Sequence, residues 1–407
     1  MTHDVLAGRQ IVLGVTGSIA AYKAVGLASA LHQAGAQVDV AMTPEATELV
    51  RPLSFQAITH RPVAVEMFAL LAETEIGHVT LGHSADAVLV APATAHSLAK
   101  IAHGLSDDLV STTLLATTAP VVLAPAMDAG MYENAAVQEN VARLRERGYV
   151  VVEPGVGHLA SGLVGRGRLA DEALILGTLR AVLGRQGDLA GWRVVVTAGG
   201  TQEPIDSVRV VTNRSSGKMG FALAEAARDR GASVALIAAP TALPDPVAID
   251  VIRVETAEQM RQAVLAALDR ADALVMAAAV ADYRPRQTAD QKIKKHDAAL
   301  TIELEPTVDI LAETAARAPE GCLRVGFAAE SQALIENARS KLDRKRLDLI
   351  VANDITLAGS GFAADDNKVT ILGRDGREVD LPMLPKQAVA GAVFDELVRL
   401  RSEARAG

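Results

Sequence analysis

The sequence predicts an α/β chain built as two doubly wound domains. Short, uninterrupted apolar runs such as Ala85 to Ala95 (ADAVLVAPATA) and Pro120 to Met127 (PVVLAPAM) end in small and polar residues. Strands covered by helices on both faces have this character. The runs alternate with Ala- and Leu-rich helical stretches, the first of them closed by Gly35, which is the pattern of βαβ units. Finally, a glycine-rich polar stretch, LGRQGDLAGW, follows Val182, and the same grammar then restarts. A boundary near Gly187 divides the chain into residues 1–186 and 187–407.

Taken in order, residues 9–43 read as a strand, a turn holding Gly14 and Gly17, a helix closed by Gly35, and a strand from Val38 to Met42. That is the opening of a doubly wound sheet. In the second half, WRVVVTAGGT is a strand, a helix runs from about Gly217 to Arg230, and GASVALIAA is the next strand. GAQVDVAMT at Gly35 parallels GASVALIAA at Gly231, and SADAVLVAPA parallels RADALVMAAA around Asp272. One echo per half describes two similar domains and not a solenoid. KVTILGRDGREVDLP is a hairpin around a Gly373 to Gly376 turn, and an amphipathic helix of about Pro385 to Arg401 closes the chain.

Composition removes several function classes. A chain of 407 residues that is 50% hydrophobic and 22% charged is neither disordered nor fibrous. Its longest clean apolar run, Ala273 to Ala281, falls well short of the roughly 20 residues that span a bilayer. MTHDVLAGRQ has no basic patch ahead of an apolar core, so it does not read as a secretory signal. One cysteine allows no disulfide within the chain, and a reducing cytoplasm is the expected compartment. Net charge −9, with one tryptophan, four tyrosines and six phenylalanines, argues against nucleic acid as a partner.

Candidate chemistry gathers at strand ends. Gly14, Gly17 and Ser18 stand where the first strand meets its helix, an arrangement that offers backbone N–H groups to an anion. The spacing is not G-x-G-x-x-G, which favours a cofactor with one phosphate over a dinucleotide. Asp39 either grips a ribose or is a polar strand position. His78 is a candidate general base, and Ser106, Asp107 and Asp108 form either a helix cap or a ligand rim. Ser215, Ser216, Gly217, Lys218 and Gly220 form a more specific polyphosphate cradle, with Arg209 upstream and Asp282 just past a buried strand. Lys292, Lys294 and Lys295, then Lys341, Arg344, Lys345 and Arg346, supply charge suited to a triphosphate or simply a solvated face. No pair of histidines or cysteines has metal-ligand spacing, and the metal ligands stay unassigned.

These motifs carry a family resemblance. GVTGSIAAYK, GHVTLGHSADAVLVAPATA, SDDLVST and APAMDAGMY resemble the homo-oligomeric flavin-containing cysteine decarboxylases. TAGGTQEPIDSVRVVTNRSSGKMG, AAAVADYRP, KIKK, GFAAE and LDLIVANDI resemble phosphopantothenate–cysteine ligase. Together, in this order, they resemble the bifunctional bacterial enzymes of coenzyme A biosynthesis. The resemblance implies a flavodoxin-like FMN domain over 1–186 and a CTP-dependent ligase domain over 187–407. In the ligase half it implies activation of phosphopantothenate by CTP with Mg2+ or another divalent cation, giving an acyl-cytidylate from which the cysteine amine displaces CMP. Asn213 is then expected to hold the acyl intermediate and Arg209 to lie near the substrate. Met276, Ala277, Ala278, Asp282, Val308, Asp309, Ile310, Leu311, Phe327, Lys341 and Lys345 are expected around substrate and nucleotide, with Lys292 on a closing flap. The family's Asn-Pro-Asp-Ile turn reads Thr307, Val308, Asp309, Ile310 in this chain.

In the first half the resemblance implies FMN held by Gly17, Ser18, Thr43 and the Ser106 to Asp108 segment, with His78 as the catalytic histidine and Met131 beside the substrate. FMN oxidises the cysteinyl thiol to a thioaldehyde, CO2 is lost, and the enethiolate is reduced to phosphopantetheine. Two positions depart from the family. Asp128 replaces the asparagine that donates a hydrogen bond to the substrate carboxylate, and Ser161 replaces the cysteine proton donor in HLASGLVGRGRL. The alternative is an active ligase fused to an FMN-binding domain that is regulatory or stops at the oxidised enethiol. The partners implied are small molecules and further copies of the chain, with flavin domains as trimers in a dodecamer and ligase domains as dimers.

Overall fold

Ile11 to Val15, Val38 to Met42 and all of Ala87–Ala93 are buried, and each lies in a parallel strand with neighbours on both sides. The structure, a computed structural model, describes residues 4–67, 70–72, 75–294, 300–330, 334–354 and 364–406. It divides into two compact units, Asp4–Leu183 and the chain from Gly184 onward.

The first unit holds a six-stranded parallel sheet. Across it run Val63–Ala64, Gln37–Met42, Gln10–Val15, Ala87–Ala93, Val121–Pro125 and Val150–Val151. Setting aside the two-residue edge strand Val63–Ala64, the order is 2-1-3-4-5, which is flavodoxin-like. Helix Ala21–Gln33 buries Ala21, Ala24, Leu27, Ala28 and Leu31, a spacing of three and four that makes one apolar face. Gly35, at φ 86°, turns the chain out of it in the left-handed region. A short antiparallel hairpin, Gly155–His158 with Val164–Arg168, stands apart from the sheet.

The second unit repeats the plan and extends it. Its eight-stranded sheet runs Asp250–Arg253, Ser233–Ala238, Arg193–Ala198, Ala273–Met276, Leu323–Glu330, Leu349–Asp354, Asp366–Gly373 and Glu378–Pro385. The first six are parallel in the order 3-2-1-4-5-6, and the C-terminal hairpin adds two antiparallel strands at one edge. The hairpin expected from the sequence is therefore part of the main sheet. Helix Lys386–Ala406 follows it and contributes Val389, Val393, Phe394 and Leu397 to the core shared with helix Lys218–Asp229.

One glycine sets how closely that helix approaches the sheet. A Cβ at Gly220 would lie 2.5 Å from Ala198 Cβ and 2.8 Å from the Thr197 carbonyl oxygen. Gly220→Ala must push helix and strand apart, at a cost of about 1–3 kcal/mol. We expect hydrogen exchange to accelerate along Lys218–Asp229 and Arg193–Ala198 and to stay unchanged within 4–183.

Candidate active sites

Each unit opens a crevice at the carboxyl ends of its parallel strands, and in each a threonine bridges the point where the strand order reverses. In the first unit the buried Thr16 hydroxyl donates to the Pro92 carbonyl (2.8 Å) and accepts the Thr94 N–H (3.1 Å). In the second, Thr197 Oγ1 accepts the Ala278 N–H (3.1 Å), and Thr201 Oγ1 accepts the Ala281 N–H (2.9 Å).

The first crevice is a cavity of about 990 Å³. Gly17, Ser18, Thr43, Asp108, Asp128, Met131 and Ser161 all line it. Gly17 is obligatory there, since a Cβ would meet Glu45 Cβ at 2.5 Å. Ser18 Oγ donates to the Ala126 carbonyl and accepts the Ala20 N–H, both at 3.3 Å. Helices Ala21–Gln33, Ala95–His103 and Leu109–Ala116 all begin at the rim, the last two capped by Thr94 and Asp108. Helix N-termini brought together in this way favour an anion. Lys23 and Arg168 add positive charge; burial first, then the Arg168 charge, lowers the Lys23 ammonium, with Asp171 opposing. Asp128 accepts the Gly130 N–H (3.0 Å), and the Ser161 hydroxyl donates to its other oxygen (2.5 Å).

Three expected residues lie outside this lining. His78 is the second residue of helix Gly77–Ser84, and its Nδ1 is buried without a hydrogen-bond partner among the described residues. Ser106 and Asp107 are exposed, and Asp107 pairs with Lys100 (2.7 Å). Asp108 is mainly a cap: it takes the Ser111 N–H and the Lys100 ammonium, both at 2.8 Å. Asp39 also stays out of the cavity, pairing with Arg61 at 2.5 Å, so it is a polar strand position and not a ribose ligand.

The second cavity, about 520 Å³, gathers Asn213, Met276, Ala277, Ala278, Asp282, Val308, Asp309, Ile310, Leu311, Phe327, Lys341 and Lys345. The Ser215 to Gly220 cradle forms one wall. Gly217, at φ 77°, opens helix Lys218–Asp229, and its N–H donates to Ser215 Oγ (3.3 Å). Asn213 Nδ2 donates to the Val280 carbonyl (3.0 Å), which ties the cradle to the strand end opposite. Lys345 pairs with Asp309 at 3.0 Å and Lys218 with Asp365 at 2.7 Å. Among the described residues no group of three His, Cys, Asp or Glu could hold a metal ion.

Arg209 and Lys292 lie outside this lining, and the structure gives the reason. Residues 288–293 form a strap laid along 204–209. Thr288 Oγ1 donates to the Pro204 carbonyl (3.0 Å), and the Ala289 N–H to the Ile205 carbonyl (3.0 Å). The Ile293 N–H donates to Asp206 (3.1 Å), and Arg209 Nη2 to the Ile293 carbonyl (2.6 Å). Arg209 therefore anchors the segment that carries the exposed Lys292. Lys295 lies outside the described residues.

Residues 2–183 match the family described as Flavoprotein, and residues 189–400 match the DNA/pantothenate metabolism flavoprotein C-terminal domain. Over 401 residues, 98% of either chain, the sequence is 45% identical to the coenzyme A biosynthesis bifunctional protein CoaBC of Bacillus subtilis (strain 168). The chain belongs to this family of bifunctional coenzyme A biosynthesis proteins. A protein of the same name from Vibrio cholerae is 45% identical over 391 residues, 96% of this chain and 98% of its own. The crystal structure of the C-terminal domain of a coenzyme A biosynthesis bifunctional protein aligns with 53% of this chain and 99% of its own, at 39% identity and TM-score 0.47. The family named from motifs alone is thus borne out along nearly the whole chain.

Sequence reasoning missed some lining residues of this family member. Lys386, Asn353 and Asn367 reach the second cavity, and His96, His158 and Arg168 the first. Lys386 opens the closing helix and arrives only because the antiparallel hairpin brings the chain back; no local pattern marks it. Burial first, then the Lys218 charge, pushes its ammonium down.

The strap yields a pH prediction. Burial by itself would raise the Asp206 carboxyl, but the N–H groups of Val208, Ile293 and Arg209 and the Arg209 guanidinium hold it well below the usual carboxylate range. A folded value below the unfolded one means that the stabilisation is complete above the ordinary carboxylate range and is lost only as pH falls toward the folded value. We expect exchange protection at the Ile293 amide to persist through pH 4, about the ordinary aspartate value. Asp206→Asn should expose residues 286–294 to rapid exchange at pH 7.

Proposed function

We propose that the chain catalyses two consecutive steps of coenzyme A biosynthesis: CTP-dependent ligation of phosphopantothenate to cysteine, then FMN-dependent decarboxylation of the product to phosphopantetheine. The observation that supports this reading most is that most of the family-type residues of each half line a cavity of that half. In the ligase half the phosphopantothenate carboxylate attacks the α-phosphorus of CTP and diphosphate leaves; the cysteine amine then attacks the acyl carbon and CMP leaves. Both steps collect negative charge in one pocket. Lys218, Lys341, Lys345 and Lys386 line it, and cation clamps of this kind stabilise phosphoryl oxygens. Mg2+ enters with the triphosphate, since this ion is commonly held by substrate phosphates and few protein groups. Asn213 holds the acyl intermediate, and the strap brings Lys292 over the pocket.

The first cavity suits FMN by volume, by the glycine at position 17 that leaves room for close approach, and by the helix N-termini that favour its phosphate. Bound there, FMN supplies the two-electron oxidation of the cysteinyl thiol that makes loss of CO2 easy. Gly17, Ser18 and Thr43 hold the cofactor, with Asp108 positioning the rim. His78 manages the thiol proton. Because it lies outside the cavity lining of its own chain, it serves the cavity of a neighbouring copy in a homo-oligomer. No helix among the described residues is long and apolar enough to cross a membrane, and the substrates are small water-soluble molecules of the cytoplasm.

A mass balance tests the proposal. Protein incubated with phosphopantothenate, cysteine, Mg2+ and CTP should yield phosphopantetheine, CMP and CO2; phosphopantothenoylcysteine as the only product would remove the decarboxylase. Lys292→Ala should lower ligation at least about tenfold with flavin absorbance intact. His78→Asn should abolish CO2 release, by about a hundredfold or more, while CMP release continues.

A further inference from the structure

The two departures from the family pattern touch each other. Ser161 sits in the turn of the hairpin formed by Gly155–His158 and Val164–Arg168, and its hydroxyl donates to Asp128 at 2.5 Å inside the first cavity. The hairpin is locked over the Asp128 turn. The Met127 N–H donates to the Gly167 carbonyl (2.9 Å), a Cβ at Gly167 would lie 2.3 Å from the Met127 oxygen, and one at Gly165 would lie 2.6 Å from Ala129 Cβ. The pair is held by backbone on both sides, and both residues line the cavity.

We propose that Asp128 and Ser161 are a proton-storage pair that takes up a proton when the substrate carboxylate binds and returns it to carbon after CO2 has left. This rests on the decarboxylase reading above. Two carboxylates brought together cannot both stay ionised, so an acidic substrate arriving at Asp128 makes the site bind one proton, shared between them. That proton lets Asp128 hold the carboxylate as the family's asparagine does. When the bond from the α carbon to the carboxylate breaks, the electron pair stays on the substrate as an enethiolate and CO2 departs. Ser161 gives its hydroxyl proton to the α carbon and takes the stored proton from Asp128, which ends as carboxylate. One proton enters at binding and one is consumed, as conversion of a carboxylate to C–H plus CO2 requires. The two electrons withdrawn from the thiol beforehand return afterwards, with the bound flavin as their carrier. Ser161 alone could not do this, because a hydroxyl is far less acidic than the thiol it replaces. A carboxylic acid behind it supplies the missing acidity.

The other charged and titratable groups lining the cavity are Tyr22, Lys23, Glu45, His96, Asp108, His158 and Arg168, and the test separates Asp128 from them. The FMN-loaded full-length chain is titrated calorimetrically at pH 7 with the phosphopantothenoyl-alanine analogue, which has the carboxylate but no thiol, in two buffers of different ionisation heat. We expect nearly one more proton bound per site in wild type than in Asp128→Asn. Equal uptake in the two would place the proton elsewhere, on His96 or His158, and overturn the proposal. Product analysis gives a second readout. Asp128→Asn and Ser161→Ala should still release CO2 but slow the final protonation about a hundredfold or more, so that enethiol accumulates. The double variant Asp128→Asn/Ser161→Cys should restore phosphopantetheine. If wild type releases no CO2, the decarboxylase reading falls and the pair's role with it. CO2 release with a product ratio indifferent to both residues defeats the pair alone.

Discussion

Both crevices depend on a buried threonine at the carboxyl end of a first strand. At the point where strand order reverses, the chains leaving two adjacent strands depart to opposite faces and a gap opens between them. Thr16 and Thr197 bind the backbone of the strand across that gap. Each hydroxyl is fully buried and hydrogen-bonded, and an interaction of this kind contributes about 0.5–1.5 kcal/mol while an unmade one costs more. The crevice is thus fixed in width by backbone, and what enters is decided by the loops on its rim. In one unit the rim brings helix N-termini and apolar side chains; in the other it brings a Ser/Gly cradle and lysines.

The lysines of the second cavity are not idle before substrate arrives. Lys345 is paired with Asp309 and Lys218 with Asp365, and the hydrogen bond from Lys218 holds the Asp365 carboxyl below its usual range. On the ligase reading proposed above, a triphosphate would displace these carboxylates to claim the ammonium groups. Half-exposed pairs are weakly bound in water, so the exchange costs little, and the aspartates keep like charges tolerable in the empty pocket. This is how a chain of net charge −9 presents a cationic site: the excess acid lies elsewhere or stands in for the ligand.

Legibility followed the range of the interactions. Runs such as Ala87–Ala93 announced buried strands because burial on both faces needs no partner pattern to be read, and the cradle at Ser215 to Gly220 was legible because its residues are contiguous. Features made by return of the chain were not. The hairpin was visible, but its pairing with Leu349–Asp354 and its delivery of Lys386 were not, since neither leaves a local periodicity. Asp39 stood open between a ribose ligand and a polar strand position until its pairing with Arg61, twenty-two residues away, decided for the second. Arg209 was expected near the substrate and Lys292 on a flap, and neither lines the cavity, because the strap that joins them depends on Asp206 and Arg209 side chains meeting backbone more than eighty residues away in sequence.

The solitary cysteine constrains the chemistry of the first site although it belongs to the other unit. Cys322 is buried among Val195, Leu274 and Leu268, and burial pushes its thiol up to about 11. It is neither a nucleophile nor an acid at neutral pH. Any proton the first cavity delivers must come from nitrogen or oxygen acids. Replacing cysteine by serine alone would remove the acid; replacing asparagine by aspartate alone would place a bare charge against the substrate carboxylate. Made together, and 2.5 Å apart, the two changes answer each other: the carboxyl group supplies the acidity the hydroxyl lacks, and the proton it stores removes the repulsion. The pair is therefore better understood as one substitution than as two defects.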